Sequence, residues 1–263
     1  MGTTMDFDDA AARRIEAVYR TPDVVATRVE VLRALELRPR ERVLDLGTGP
    51  GFLARDMAAT VGSSGQVAGV DISEAMLAMA RRRCAAQPWA EFHDADVTRL
   101  PFADCTFDAA VSTQVYEYVP DIATALAELQ RVIRPGGRVV ILDTDFGSFV
   151  CHSLDAARTR RILGAYEQHV ADPHLPRTLA PKLRAAGLEV ARREVLPLFN
   201  AEGHANTYGH GLIDFIRAFV IGRNGITAEE ADAWVAELHE LAAKGEFFFS
   251  LNRYLFVARK PEV

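Results

Sequence analysis

The sequence predicts an α/β fold built on a parallel sheet, and two observations carry that prediction. Short apolar runs with strand character alternate with helical runs at close spacing through the first half of the chain. The first of those strands ends in a turn with glycine at three alternate positions, Gly47, Gly49 and Gly51, and a helix follows at once. The 263 residues are 49% hydrophobic and 25% charged, enough apolar material to bury a core under such a sheet and too balanced for a disordered or fibrous chain.

The elements follow in order. Residues from about Ala10 to Leu37 read as helix, with Val24, Val25, Val29, Val31, Leu32 and Leu35 as its apolar stripe. Thr21-Pro22-Asp23 interrupts that run and starts a second helix, because proline suits a first helical turn. Arg42 to Leu46 is a short buried strand, Phe52 to Thr60 a helix, Val67 to Ile72 a second strand, and Ser73 caps a helix from Glu74 to about Ala86. Ala90 to His93 is a weak third strand, and Phe107 to Ser112 a fourth, apolar enough to be covered on both faces. A helix from Ile122 to Ile133 stops at Pro135-Gly136-Gly137, before a fifth strand at Arg138 to Asp143. Phe149 to Val170 and Arg177 to Ala186 read as helices, and Leu188 to Leu196 as a strand. At least two more helices fall between Glu202 and Gly245, and a closing strand runs from Glu246 to Arg259.

Composition excludes several function classes. The formal charge of −6 and pI near 5.7 set up no field that attracts nucleic acid. Cys84, Cys105 and Cys151 are too few and too scattered for a disulfide framework or a thiolate metal site. No run approaches the roughly 18 apolar residues of a membrane span, and Met1 to Asp9 lacks the pattern of a secretory leader. The expectation is a soluble cytoplasmic protein. The basic stretch containing Arg158, Arg160, Arg161, Arg177, Lys182, Arg184, Arg192 and Arg193 reads as a solvated helix face.

The glycine turn discriminates between ligands. A dinucleotide fingerprint needs glycine where Phe52 stands, and a P-loop needs a Lys-Ser/Thr pair that is absent. Asp71 lies at the end of the second strand, 20 residues beyond Gly51. A carboxylate there accepts hydrogen bonds from both hydroxyls of a ribose, so turn and acid together predict a nucleoside at the carboxyl ends of the strands.

Four segments then carry a family resemblance. Asp45-Leu46-Gly47-Thr48-Gly49-Pro50-Gly51 resembles the glycine motif of class I S-adenosylmethionine-dependent methyltransferases. Asp71-Ile72-Ser73-Glu74-Ala75-Met76 resembles their acidic strand end, and Asp96-Val97-Thr98-Arg99-Leu100-Pro101-Phe102 with Thr106-Phe107-Asp108 their adenine-side loop and fourth strand. Arg131-Val132-Ile133-Arg134-Pro135-Gly136-Gly137 resembles the turn before their fifth strand. The pattern is most similar to the small-molecule branch that includes the ubiquinone and menaquinone C-methyltransferases. The closing run from Phe247 to Tyr254 is also similar to that branch.

The resemblance implies a Rossmann-like, seven-stranded, mostly parallel sheet with an antiparallel last strand and helices on both faces. It implies one methyltransferase domain: an N-terminal helical cap over residues 1–40, a cofactor core over 41–145, and substrate-side helices and closing strands over 146–263, with a lid insertion at about 202–245. The cofactor implied is S-adenosyl-L-methionine, leaving S-adenosyl-L-homocysteine as product. Gly47, Gly49 and Gly51 then approach its methionine part, with Asp45 near the ammonium. Asp71 holds the ribose, Ile72 packs on the adenine, and Asp96 and the Val97 N–H meet the adenine edge. Ser112, Thr113 and Gln114 line the sulfonium, while Tyr19 and Arg28 close over the cofactor, Arg28 toward its carboxylate.

Transfer of an activated methyl is an in-line displacement that asks mainly for positioning and desolvation. A phenol, amine or acidic carbon as acceptor adds a need for a general base. His210, in the glycine-flanked stretch Glu202 to Gly211, His152 after the fifth strand and Tyr116 after the fourth are the candidates. His204 and Tyr208 share the first stretch, and Glu117 and Tyr118 adjoin Tyr116. No metal site is expected: the spacing of His204 and His210 suits no common zinc site, and the fourth strand ends in Ser112-Thr113 rather than an acid. The partner expected is a small-molecule substrate, with no nucleic acid, no membrane and room for a homodimer. A biosynthetic cyclase or isomerase that uses the sulfonium only electrostatically, or a non-catalytic S-adenosylmethionine-binding protein, would carry the same cofactor loops.

Overall fold

The computed structural model describes residues 16–262. The chain runs through α1 (Pro22–Leu35), β1 (Arg42–Leu46), α2 (Phe52–Val61), β2 (Gln66–Asp71), α3 (Glu74–Arg83), β3 (Ala90–Asp94) and β4 (Phe107–Thr113). It continues with α4 (Ile122–Val132), β5 (Ile133–Cys151), α5 (Ala156–Tyr166), α6 (Leu175–Ala185), β6 (Glu189–Asn200), α7 (Tyr208–Val220), α8 (Ala228–Ala243) and β7 (Phe249–Arg259). The strands form one seven-stranded sheet in the order β3-β2-β1-β4-β5-β7-β6. Strands β1 to β5 are parallel, and β7 is antiparallel to both of its neighbours, β5 and β6. This is the reversed-last-strand sheet that the family resemblance implied.

The alternation of side chains along each strand splits the core into two layers. Val43, Val67, Ala109, Val111, Val140 and Leu142 face α1 and α2, packing on Val31, Leu35, Leu53, Met57 and Val61. Their sequence neighbours Leu44, Ala68, Ala110, Val139 and Ile141 face the other way, onto Leu126 and Leu129 of α4 and Leu179 and Leu183 of α6. A third cluster joins α5, α7 and α8 around Trp234, whose indole N–H donates to Thr159 Oγ1 at 3.1 Å. Asp23 of α1 accepts the backbone N–H of Tyr208 at 2.9 Å, tying the N-terminal helix to the first turn of α7.

Two expectations change. The fifth strand is not confined to Arg138–Asp143 but runs from Ile133 to Cys151, because β7 pairs with it past Asp145 and again at Val150 and Cys151 after a register break. That pairing takes Phe149–Cys151 out of the expected helix, which begins at Ala156, where the Asp155 carboxylate accepts the N–H groups of Ala157 and Arg158. The helix expected from Ala10 falls before residue 16 in part and there lies outside the described residues. The break at Thr21 is present, and α1 starts at Pro22.

Strand order reverses between β1 and β4, with β2 and β3 on one side and β5 on the other. In an open α/β sheet the crevice for a ligand opens beyond the carboxyl ends of the strands at that reversal. Loops after β1, β2 and β4 meet there.

Candidate functional site

A cleft opens at the reversal. Gly47, Thr48, Gly49 and Pro50 of the β1 turn, Phe52 and Leu53 of α2, and Thr113 and Gln114 after β4 line it, together with Tyr19, Val24, Thr27, Arg28 and Val31 from the N-terminal segment and Leu142 and Arg253 from β5 and β7.

The turn owes its shape to its glycines. Gly47, Gly49 and Gly51 have φ of +64°, +52° and +78°, the left-handed region that L side chains avoid. At Gly49 an added Cβ would find no atom nearer than 4.0 Å, so the missing side chain leaves the backbone open to the cleft. Gly51 differs: its Cβ would lie 2.8 Å from the Cα and Cβ of Ala80, and it is absent from the cleft wall. The bare Cα there lets α2 pack closely on α3.

Two carboxylates flank the turn. Asp71 accepts the Gly49 N–H on Oδ2 and the Ser73 N–H on Oδ1, each at 2.9 Å, so it fixes the turn and still has lone pairs to offer. Burial raises its pKa, and those backbone hydrogen bonds partly oppose the rise. Asp45 lies under the turn at 1% exposure, with Thr48 Oγ1 donating to it at 2.8 Å. Burial pushes its pKa from 3.8 up to about 7. Ile72, at 63% exposure, presents an unusually open aliphatic face beside Asp71. Asp96 is exposed and uses Oδ1 for the Thr98 N–H and hydroxyl, while the Val97 side chain is buried in the core below. Carboxylate, glycine floor, apolar shelf and second carboxylate follow the pattern of a nucleoside with an amino-acid tail.

Other expected residues divide. Tyr19 reaches the cleft, and burial first, then Tyr208, pushes its phenol to about 12. Arg28 also lines the cleft, held by an ion pair to Asp56 at 3.3 Å and lying 5.0 Å over the Phe52 ring. Thr113 and Gln114 line the wall, but Ser112 does not: it is 1% exposed and its hydroxyl has no partner within the sheet.

None of the three expected bases is in the cleft wall. His210 packs against His239 of α8 at 5.7 Å between ring centroids, inside the helical insertion. His152 is exposed beyond β5, its N–H bonded to the Phe248 carbonyl. Tyr116 is 1% exposed in the core under β4, with its hydroxyl unpartnered. Sequence spacing could not place them, because each orientation depends on packing between remote elements. Asp145, at the register break in the β5–β7 pairing, is bonded to Arg177 and His174.

The cleft holds one residue that the sequence reading missed. Arg253 is 1% exposed, its guanidinium lies 4.5 Å over the Tyr208 ring, and its Nε and Nη2 have no hydrogen-bond partner. Its signal was present in the strand: Phe249, Leu251, Arg253 and Leu255 occupy successive inward positions of β7, and one of the four is charged. Nearby, Glu117 is fully buried, accepts the Thr144 N–H at 2.7 Å on Oε2 and leaves Oε1 without a partner. Burial raises its pKa, with the Thr144 N–H and then Arg253 opposing, and it raises that of the neighbouring Asp143 as well. Burial and then Glu117 raise the phenol of Tyr118, and burial and then Tyr208 raise that of Tyr166.

With this geometry in hand, the comparisons with known proteins can be placed. Residues 44–141, from β1 to β5, match the family described as Methyltransferase domain. Those residues resemble a methyltransferase domain in sequence, and the sheet has the matching strand order. The chain is 34% identical over 235 residues to an uncharacterized 37.1 kDa protein in transposon TN4556 of Streptomyces fradiae, covering 87% of this chain and 65% of that one. It is 46% identical over 109 residues to a 2-phytyl-1,4-naphtoquinone methyltransferase of Synechococcus elongatus, covering 40% of this chain and 47% of the relative. The chain thus matches about half the length of that quinone relative. Among solved structures, the Haemonchus contortus phosphoethanolamine N-methyltransferase 2, in complex with S-adenosyl-L-methionine, aligns with a TM-score of 0.62 at 19% identity, over 97% of this chain and 58% of that one, a likeness of fold. The resemblance to methyltransferases therefore extends beyond the motifs to the continuous stretch from residue 44 to residue 141. Among the described residues no helix is long and apolar enough to cross a membrane.

Proposed function

We propose that this chain binds S-adenosylmethionine and transfers its methyl group to a small-molecule acceptor at oxygen, nitrogen or carbon. The observation that carries the reading is the open Gly49 backbone in the cleft wall, whose N–H donates at 2.9 Å to the Asp71 carboxylate at the adjoining end of β2. In this reading Asp71 holds the ribose hydroxyls, Ile72 and Asp96 take the base, and the Gly47–Gly49 backbone above Asp45 takes the amino-acid end. The bound cofactor supplies a methyl group activated by a cationic sulfur. The chain supplies alignment and dryness: Tyr19, Val24, Val31, Leu53 and Leu142 wall the cleft against water, and Thr113 and Gln114 position what lies beside β4. Gln114 is fixed for this task by a φ of +55° and by its amide, which donates to Thr144 Oγ1 at 3.3 Å. The name of the naphthoquinone relative supports an acceptor with an apolar ring.

Calorimetry with S-adenosylmethionine and S-adenosylhomocysteine tests the binding half, and methyl-labelled cofactor incubated with a metabolite library tests transfer. Binding followed by a labelled product is expected. Absence of cofactor binding by the folded protein sinks the reading, and a converted but unlabelled product replaces it with a cyclase or isomerase.

A further inference from the structure

Arg253 is buried to 1% exposure in the cleft wall, yet among the described residues its guanidinium donates no hydrogen bond. The two unpartnered nitrogens, Nε and Nη2, form one edge of the planar fork. On the far side of β5, Arg177 shows what that edge does when occupied: its Nε and Nη2 grip the two oxygens of Asp145 at 2.8 and 2.9 Å. A fully buried guanidinium with the same edge open is a bidentate receptor without its anion. Glu117 does not fill it: its Oε1 and the Arg253 Nε and Nη2 are all without partners, although the guanidinium charge acts on the Glu117 carboxyl. Arg28, the other cleft arginine, already has Asp56.

Tyr208 lies under the guanidinium, and Tyr19 lines the same cleft. A planar anion on Arg253 would therefore have aromatic walls about the rest of its body.

Resting on the methyltransferase reading, we propose that the acceptor is an aromatic or otherwise apolar carboxylic acid, and that its carboxylate seats on the Nε/Nη2 edge of Arg253. This sets the acceptor apart from the neutral naphthoquinone ring in the name of the relative. Arg253 is then a specificity-determining residue, orienting the acceptor while the reacting atom meets the methyl beside Gln114. No bond is made or broken at Arg253.

The test uses the full chain. Benzoate, 4-hydroxybenzoate and the neutral isostere benzamide are titrated by calorimetry into wild-type protein, with and without saturating S-adenosylhomocysteine, and into Arg253→Gln and Arg253→Lys. Benzoate should bind wild type about 10- to 100-fold more tightly than benzamide, and the preference should vanish in Arg253→Gln with S-adenosylhomocysteine affinity unchanged. Equal affinity of wild type for benzoate and benzamide overturns the proposal without reference to any variant. The cofactor also carries a carboxylate, and 5′-methylthioadenosine, which lacks it, separates the sources. If Arg253→Gln weakens S-adenosylhomocysteine but not 5′-methylthioadenosine, the edge holds the cofactor and the acceptor assignment is overturned. Failure of S-adenosylhomocysteine to bind wild type tells against the methyltransferase reading, whereas the benzoate arm is scored independently.

Discussion

Replacing Asp45 by asparagine should stabilise the protein at alkaline pH while weakening its grip on the cofactor. Asp45 is 1% exposed beneath the glycine turn, with a single side-chain donor, Thr48 Oγ1, at 2.8 Å. Burial raises its pKa from 3.8 to about 7 in the fold. A carboxyl with a raised folded pKa keeps its proton in the folded state after the unfolded chain has lost it. Stability therefore declines as pH rises from about 4 to about 7, then levels off, with the full cost carried above that window. A rise of about 3 units corresponds to about 4 kcal/mol, of which about 3 kcal/mol is expressed between pH 5 and pH 8. Asparagine fits the same space, can bond Thr48 in either direction and carries no charge to desolvate. Urea unfolding of wild type and Asp45→Asn at pH 5, 6, 7 and 8 measures the difference. The variant should gain on wild type by about 3 kcal/mol across that range. Parallel profiles for the two proteins would refute the buried-carboxyl argument. Under the proposed function, the ionised Asp45 is compensated by the ammonium of the bound cofactor, so cofactor binding near pH 7 should release a proton. Calorimetry in buffers of different ionisation enthalpy reads that release, and Asp45→Asn should abolish it.

Further expectations concern the rest of the cleft. Asp71→Asn should lower S-adenosylmethionine affinity about 10- to 100-fold in calorimetry, because ribose hydroxyls lose a charged acceptor; unchanged affinity would remove Asp71 from the site. Gly51→Ala should destabilise by on the order of 1–3 kcal/mol in urea, since φ is +78° and the new Cβ would sit 2.8 Å from Ala80. His152→Ala and His210→Ala should each retain methyl transfer to within about twofold, as neither histidine lines the cleft. A drop of a hundredfold in either would mean that the insertion closes differently over substrate.

The sequence alone determined the parallel sheet core and the cofactor end of the cleft, because both are written in short stretches. Glycines two residues apart at a strand end, and an acid at the end of the next strand, fix backbone shape and chemistry within a single βαβ unit. Side-chain alternation in β1, β2 and β4 is likewise a local property, legible as continuous apolar runs. Only the tertiary structure assembles the proposed acceptor end. Arg253, Glu117, Tyr208 and Tyr118 come from β7, the turn after β4 and the first turn of α7, and nothing local in any one segment announces that they converge. His210 illustrates the reverse: its glycine-flanked setting suggested a reactive loop, yet helix packing turns it onto His239. The length of β5 and the start of α5 were decided in the same way, by the reach of β7 from Phe249 and Ser250 back to Cys151 and Val150. Local chemistry sets conformations within a turn or a strand, whereas which distant side chains share a desolvated space is settled by how the layers pack.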